Sequence, residues 1–193
     1  MRSSACARAA AAATSTCGDV DVRLIDCDRT RRAEILAILN EAIESSTAVY
    51  DYKPRTMAMM DAWFDAKEKG RYPVIGAIDG NDRLVGFSTY GTFRNWPGYK
   101  YTVEHSVYVD RDCRGRGVGR RLLGAIIERA RAQDYHVLIG GIDADNPISI
   151  DLHKTFGFTF CGEIREAGFK FGRWRHLVFY QLILDTPRHP VDG

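Results

Sequence analysis

The sequence carries no excess of one charge: 27 Lys and Arg stand against 25 Asp and Glu, a net +2. A protein whose main business is to coat nucleic acid presents a strongly basic face, so nucleic acid is not expected as a partner. There is no C-x-x-C pair and no Cys/His cluster with zinc-finger spacing. The five cysteines, Cys6, Cys17, Cys27, Cys113 and Cys161, are odd in number and scattered; they read as reduced thiols in a reducing compartment, and no metal is expected. No apolar run approaches the roughly 18 residues of a membrane span, which predicts a soluble chain with no membrane partner and a cytoplasmic location. No acid precedes Asp19. Residues 1–18, rich in Ala and Ser with two Arg, therefore read as a disordered extension, with an organellar transit peptide as the alternative.

What is present suffices for one core. Apolar residues make up 45% of 193, enough for one domain and short for two. Val20 to Ile25 alternate as a strand. Asp28 is placed to cap a helix from Arg29 to about Ile43, and a second helix is predicted from Thr56 to Lys69, with Met59, Met60, Trp63 and Phe64 turned to the core. YPVIGAID and RLVGFSTYGTF flank a turn at Gly80-Asn81-Asp82 and predict a hairpin. After the loop RNWPGY comes the strand KYTVEHSVYV. Val118, Leu122, Leu123, Ile126, Ile127 and Ala130 then repeat at helical spacing. HVLIGGI is a buried strand, Pro147 opens a helix to about Phe156, and GFTFCGEI and HLVFYQLIL close the chain as an antiparallel pair. This order predicts a single α/β domain with a mixed sheet over residues 19–187, followed by a tail, residues 188–193.

Gly115, Gly117 and Gly119 stand at the strand end just before the third helix. A dinucleotide fingerprint fails: from Gly115 its third glycine falls on Arg120, and from Gly117 on Leu122. No G-x-x-x-x-G-K-[ST] occurs either. Glycines let consecutive backbone N–H groups turn toward a ligand, and the helix behind them adds its positive end. With Arg114, Arg116, Arg120 and Arg121 around them, they suit a pyrophosphate. On this stretch alone, an ordinary strand-to-helix turn with solvated arginines stands beside that reading.

Arg114-Gly115-Arg116-Gly117-Val118-Gly119 fits R-x-x-G-x-G, and here the chain resembles the GNAT superfamily of N-acetyltransferases. TVEHSVYV, SIDLHKTFGF and GFKFGRW look like the phosphinothricin and methionine sulfoximine or methionine sulfone N-acetyltransferase branch. The resemblance covers about Asp19 to Leu184. It implies a GNAT fold, a mixed and mostly antiparallel central sheet flanked by helices. It also implies acetyl-CoA as co-substrate, the α-amine of a small amino acid analogue as acceptor, and a homodimer. Val107, Tyr108 and Val109 would bind the acetyl-CoA arm through main-chain groups. Arg114, Gly115, Arg116, Gly117, Val118, Gly119 and Arg120 would surround the pyrophosphate, and Asn146 would contact the cofactor from a strand-to-helix loop. Cys113 departs from the Gln that relatives often carry before this motif.

Amide formation from a thioester needs a neutral amine, so a base is useful. Alternation in KYTVEHSVYV puts Val103, His105, Val107 and Val109 on one face and Thr102, Glu104, Ser106 and Tyr108 on the other. Glu104, by resemblance the branch's catalytic carboxylate, is the candidate base. His153 stands where many superfamily members show a Tyr that protonates the thiolate; with a reference pKa of ~6.5 it suits base or acid equally. Arg94 matches the branch's substrate arginine, and Asn95 and Trp96 would follow it along the pocket wall. Three further readings remain at this point: acetylation of another amine or a peptide N-terminus, a non-catalytic acyl-CoA-binding module, and a nucleic-acid binder.

Overall fold

The computed structural model describes residues 21–192; the expected extension, residues 1–18, lies outside them, as does Val20. A seven-stranded sheet runs in the order β1-β2-β3-β4-β5-β7-β6. Its strands are β1 (Arg23–Asp26), β2 (Val74–Ile78), β3 (Leu84–Thr92), β4 (Thr102–Val109), β5 (Val137–Asp143), β6 (Thr159–Lys170) and β7 (Arg173–Ile183). All neighbours are antiparallel except β4 and β5. This is the α/β domain with a mixed sheet expected from the order of elements, and it is mostly antiparallel as the resemblance implied.

The helices divide between the two faces. Helices α1 (Arg32–Ser45) and α2 (Met57–Gly70) bury Ile35, Ile38, Leu39, Met60 and Phe64 against Val74, Ile78, Leu84 and Phe87. Asp28 caps a 3-10 turn, Arg29–Arg31, that precedes α1, and Thr56 caps α2. On the other face lies α3 (Val118–Ala132), whose buried residues are the six apolar positions of the helical repeat. They pack on Ile75, Val85, Tyr90, Val103 and Leu138. Helix α4 (Pro147–Thr155) follows β5. Two expectations are corrected. Met59 is 52% exposed rather than core, because the buried stripe of α2 is set by Met60 and Phe64. The closing strands are longer than GFTFCGEI and HLVFYQLIL: they run on to Lys170 and start again at Arg173, through a register shift between Ile164 and Gly168.

Candidate active site

The parallel ladder between β4 and β5 is short. It pairs Thr102, Val103 and Glu104 with Val137, Leu138 and Ile139 and then stops. Beyond it, β4 stays paired with β3 as far as Val109, and β5 stays paired with β7 as far as Asp143. The two central strands therefore part into a fork. Asp110 N–H bonds Val85 O on the β3 side. Because main-chain groups alternate along a strand, those of Val107 and Val109 turn toward the fork, whereas those of Tyr108 turn toward β3.

The glycine loop closes the wide end of the fork. Gly115 and Gly117 have φ of +75° and +80°, and a Cβ at either would meet no protein atom within 4 Å. Glycine is thus required there by backbone conformation, and no neighbour packs against it. Gly119 is different: its Cα lies inside α3, where a Cβ would touch Leu152 and Val109 at 3.6 Å. The N–H groups of Val118, Gly119 and Arg120 precede the first helical bond, from Arg121 N–H to Gly117 O at 3.1 Å, and Gly117 provides no side-chain cap. These donors and the positive helix end suit an anionic diphosphate.

The arginines around the loop are tethered. Arg114 donates through Nε to Val109 O at 3.0 Å and pairs with Glu41 of α1 at 2.5 Å, so it ties the strand end to α1. Arg120 bonds Thr155 Oγ1 at 3.3 Å and stacks over Phe156. Arg121 pairs with Asp21 at 3.6 Å. Asn146 caps α4, its side chain accepting from Ser149 N–H at 3.1 Å, which places it at the end of β5 across the fork from the loop.

Glu104 projects from the α1–α2 face, at the last rung of the ladder. It is exposed to solvent, and a Cβ added at Gly141 would stand 3.0 Å from its Oε1. Partial desolvation by the nearby strands raises its pKa above the usual carboxylate value, and Arg94 pulls the other way. Arg94, Asn95 and Trp96 are exposed. With Tyr72, Tyr99, Val103 and Tyr135 among others they line a groove of about 290 Å³, which Glu104 itself does not line.

His153 lies on the opposite face. Its Nε2 is 2.9 Å from Nε2 of His105, and its Nδ1 is 2.6 Å from Ser149 O. A Cβ at Gly140 would press on both rings. Glu104 and His153 thus flank the β4–β5 junction from two sides and do not touch. Among the described residues, no group of three His, Cys, Asp or Glu side chains is arranged to hold a metal ion, and no helix is long and apolar enough to cross a membrane.

Sequence reasoning passed over the segment 46–56, between α1 and α2, which borders the Glu104 face. Its Asp51 and Arg55 act electrostatically on Tyr108, and Tyr50 donates to Asp143 Oδ2 at 3.0 Å. Lys170 holds this segment by donating to the carbonyls of Ile43, Ser46 and Val49 at 2.6–2.9 Å. A lysine within the apolar GFKFGRW was the available signal.

The model of the Acetyltransferase (GNAT) family matches residues 35–158. An L-methionine sulfoximine/L-methionine sulfone acetyltransferase of Pseudomonas paraeruginosa is 46% identical over 154 residues, 80% of this chain and 90% of the relative. The crystal structure of an N-acetyltransferase from Staphylococcus aureus Mu50 superposes with a TM-score of 0.82 at 42% identity, covering 84% of this chain and 98% of that one. A phosphinothricin acetyltransferase from Sinorhizobium meliloti, in complex with AcCoA, gives a TM-score of 0.84 at 30% identity, with 88% and 92% covered.

Proposed function

This chain belongs to the GNAT family of acetyltransferases and is an acetyl-CoA-dependent N-acetyltransferase; from that premise we propose that its acceptor is the α-amine of a small amino acid analogue of the methionine sulfoximine, methionine sulfone or phosphinothricin kind. The observation that carries this reading is Glu104, an exposed but partly desolvated carboxylate at the mouth of the fork within electrostatic reach of Arg94. Acetyl-CoA supplies the activated acyl group as a thioester. Gly115 to Arg120 would hold its pyrophosphate through main-chain N–H groups, with Val107 and Val109 along its arm, Tyr108 between them, and Asn146 on the far side of the fork.

Glu104 takes the proton of the substrate ammonium, directly or through water, so that the amine becomes nucleophilic. Its raised pKa makes it a better base near neutrality. Arg94 offers a planar fork of donors to the substrate's carboxylate or to a sulfone or phosphinate oxygen, with Asn95 and Trp96 beside it. Transfer is direct, without an acyl-enzyme. The enzyme acts as a homodimer in the cytoplasm. Exposed Phe160 and Ile164 on edge strand β6 support a second copy, and the thiols of Cys27, Cys113 and Cys161, which form no disulfide among the described residues, support a reducing compartment.

The test is thiol release from acetyl-CoA with methionine sulfone, methionine sulfoximine, phosphinothricin, ordinary amino acids and short peptides. Turnover is expected with at least one of the three analogues and to exceed that with peptides. Preference for a peptide N-terminus would overturn the substrate assignment.

A further inference from the structure

We propose that His105 is a positioning residue that fixes His153 as a neutral imidazole protonated on Nδ1, so that His153 enters acetyl transfer with no proton to give. The catalytic consequence rests on the N-acetyltransferase reading above; the assignment itself rests on geometry. His153 Nδ1 lies 2.6 Å from Ser149 O. A carbonyl only accepts, so Nδ1 carries a hydrogen, and in a neutral ring Nε2 is then bare. His105 Nε2 stands 2.9 Å from that bare nitrogen. Two lone pairs at this distance would repel, so His105 Nε2 carries the hydrogen and donates it. His105 Nδ1 is then the bare end of the pair, and among the described residues no group meets hydrogen-bond geometry with it. The two tautomers are therefore one assignment, set by the Ser149 carbonyl, for which a ring hydrogen bond of 2.6 Å is seen.

The surroundings keep the pair uncharged. The rings are 6% and 5% exposed. Phe158 packs on both, at 5.3 and 5.0 Å between centroids. From β4, Glu104 points to the other face; β5 presents Gly140, which has no side chain, and the Ile139 carbonyl, which favours a proton on His105 but is outweighed by burial; α4 presents the Ser149 carbonyl. Among the described residues no Asp, Glu, Lys or Arg contributes to the protonation of either ring, and burial pushes both below the usual histidine value.

The N–H bonds of the resting pair point to Ser149 O and to His153 Nε2, and neither points into the fork. The sequence left open whether His153 acts as acid toward sulfur or as base toward the amine. This geometry excludes the acid in the resting enzyme: the proton that the departing sulfur gains comes from outside the pair. What the pair supplies is a cross-brace from β4 to α4 behind the fork, and it explains why β5 carries glycine at 140. A Cβ there would stand 3.1 Å from His105 Cε1 and 3.2 Å from His153 Nε2.

The experiment is nitrogen-15 spectroscopy of the imidazoles in the full chain, assigned by substitution, together with steady-state kinetics. In the wild type, His153 is expected as the Nδ1–H tautomer, neutral between about pH 5 and 8. His105→Leu removes the donor, and His153 should then titrate about one pH unit or more higher, while His105→Gln supplies an amide N–H and should restore the wild-type spectrum. kcat should fall about tenfold in the Leu variant and recover in the Gln variant, a loss on the scale of one hydrogen bond, with KM for acetyl-CoA unchanged. If the Leu variant does not fold, Gly140→Ala parts the rings and should raise the His153 midpoint in the same way. A wild-type His153 that carries its proton on Nε2, or that is charged at neutral pH, overturns the proposal. So does an unaltered His153 titration in the folded variant. The spectra are read without substrate, so a different acceptor would defeat the proposed function and leave this assignment standing.

Discussion

Glu104 and His105 are adjacent in sequence and act on opposite faces of β4, and each face has its own chemistry. If Glu104 is the base, Glu104→Gln keeps the shape and removes the basicity. Turnover should fall by about 10²–10⁴-fold, while acetyl-CoA, held by main chain, still binds. The base must be ionised to work, so wild-type kcat/KM falls as pH drops through the Glu104 pKa. Burial raises that pKa, so the acidic limb should lie above the ordinary Glu value of ~4.3. The deficit of the Gln variant should shrink in alkali, where more substrate arrives as free amine; a sharply raised KM with no alkaline recovery would instead mean that Glu104 holds the ammonium by charge. Arg94→Ala should raise KM for the amino acid about tenfold or more, the scale of one charge-assisted hydrogen bond, with acetyl-CoA affinity retained. If only the acetyl-CoA term moves, Arg94 is not the substrate anchor. The roles of Glu104 and Arg94 are proposals drawn from the family resemblance, whereas that Glu104 and His105 face opposite ways was legible because a strand alternates. The pairing of His105 was not, since its partner stands 48 residues later and only the packing of α4 brings the two rings together.

Among the elements, α3 was the most legible, because the spacing of its apolar residues is a local property: the six predicted positions are the six that are buried. The end of the β6–β7 pair was not legible. Its reach depends on Tyr50, whose ring lies where a Cβ at Gly168 would stand, 2.7 Å away, and on Lys170, which is 3% exposed and spends its three N–H donors on three carbonyls beyond the hairpin. Through that lysine the hairpin holds the C-terminal end of α1 and the segment 46–56, which borders the Glu104 face. Lys170→Met keeps the length of the side chain and strands those carbonyls. It should cost about 3 kcal/mol of stability, read as a drop in Tm of roughly 6–12 °C for a domain of this size. Where the variant remains folded, KM for the amino acid should rise more than KM for acetyl-CoA. Equal stability by denaturant unfolding would show that the segment is held by Tyr50 and the Asn40–Arg55 hydrogen bonds without the lysine.

At the scale of the molecule, the sheet is continuous except where β4 and β5 part, and the glycine loop, Glu104 and the histidine pair all gather at that fork. A ligand lying in it touches both halves of the sheet, so binding should stabilise the whole domain. At a free acetyl-CoA concentration of 100 times Kd the gain is about 2.7 kcal/mol, which for a domain of this size raises Tm by roughly 5–11 °C. Three variants then separate the contributions. Gly117→Val forces a β-branched residue to φ near +80° and puts its Cβ where the diphosphate would approach, so its own Tm should fall slightly and the acetyl-CoA shift should vanish. Arg116→Ala should keep most of the shift if, as proposed, backbone N–H groups make the cradle. Glu104→Gln should keep the full shift while losing turnover. A Gly117→Val protein with the wild-type shift would remove the loop from the cofactor site, and a Glu104→Gln protein without a shift would move Glu104 from proton transfer to cofactor binding.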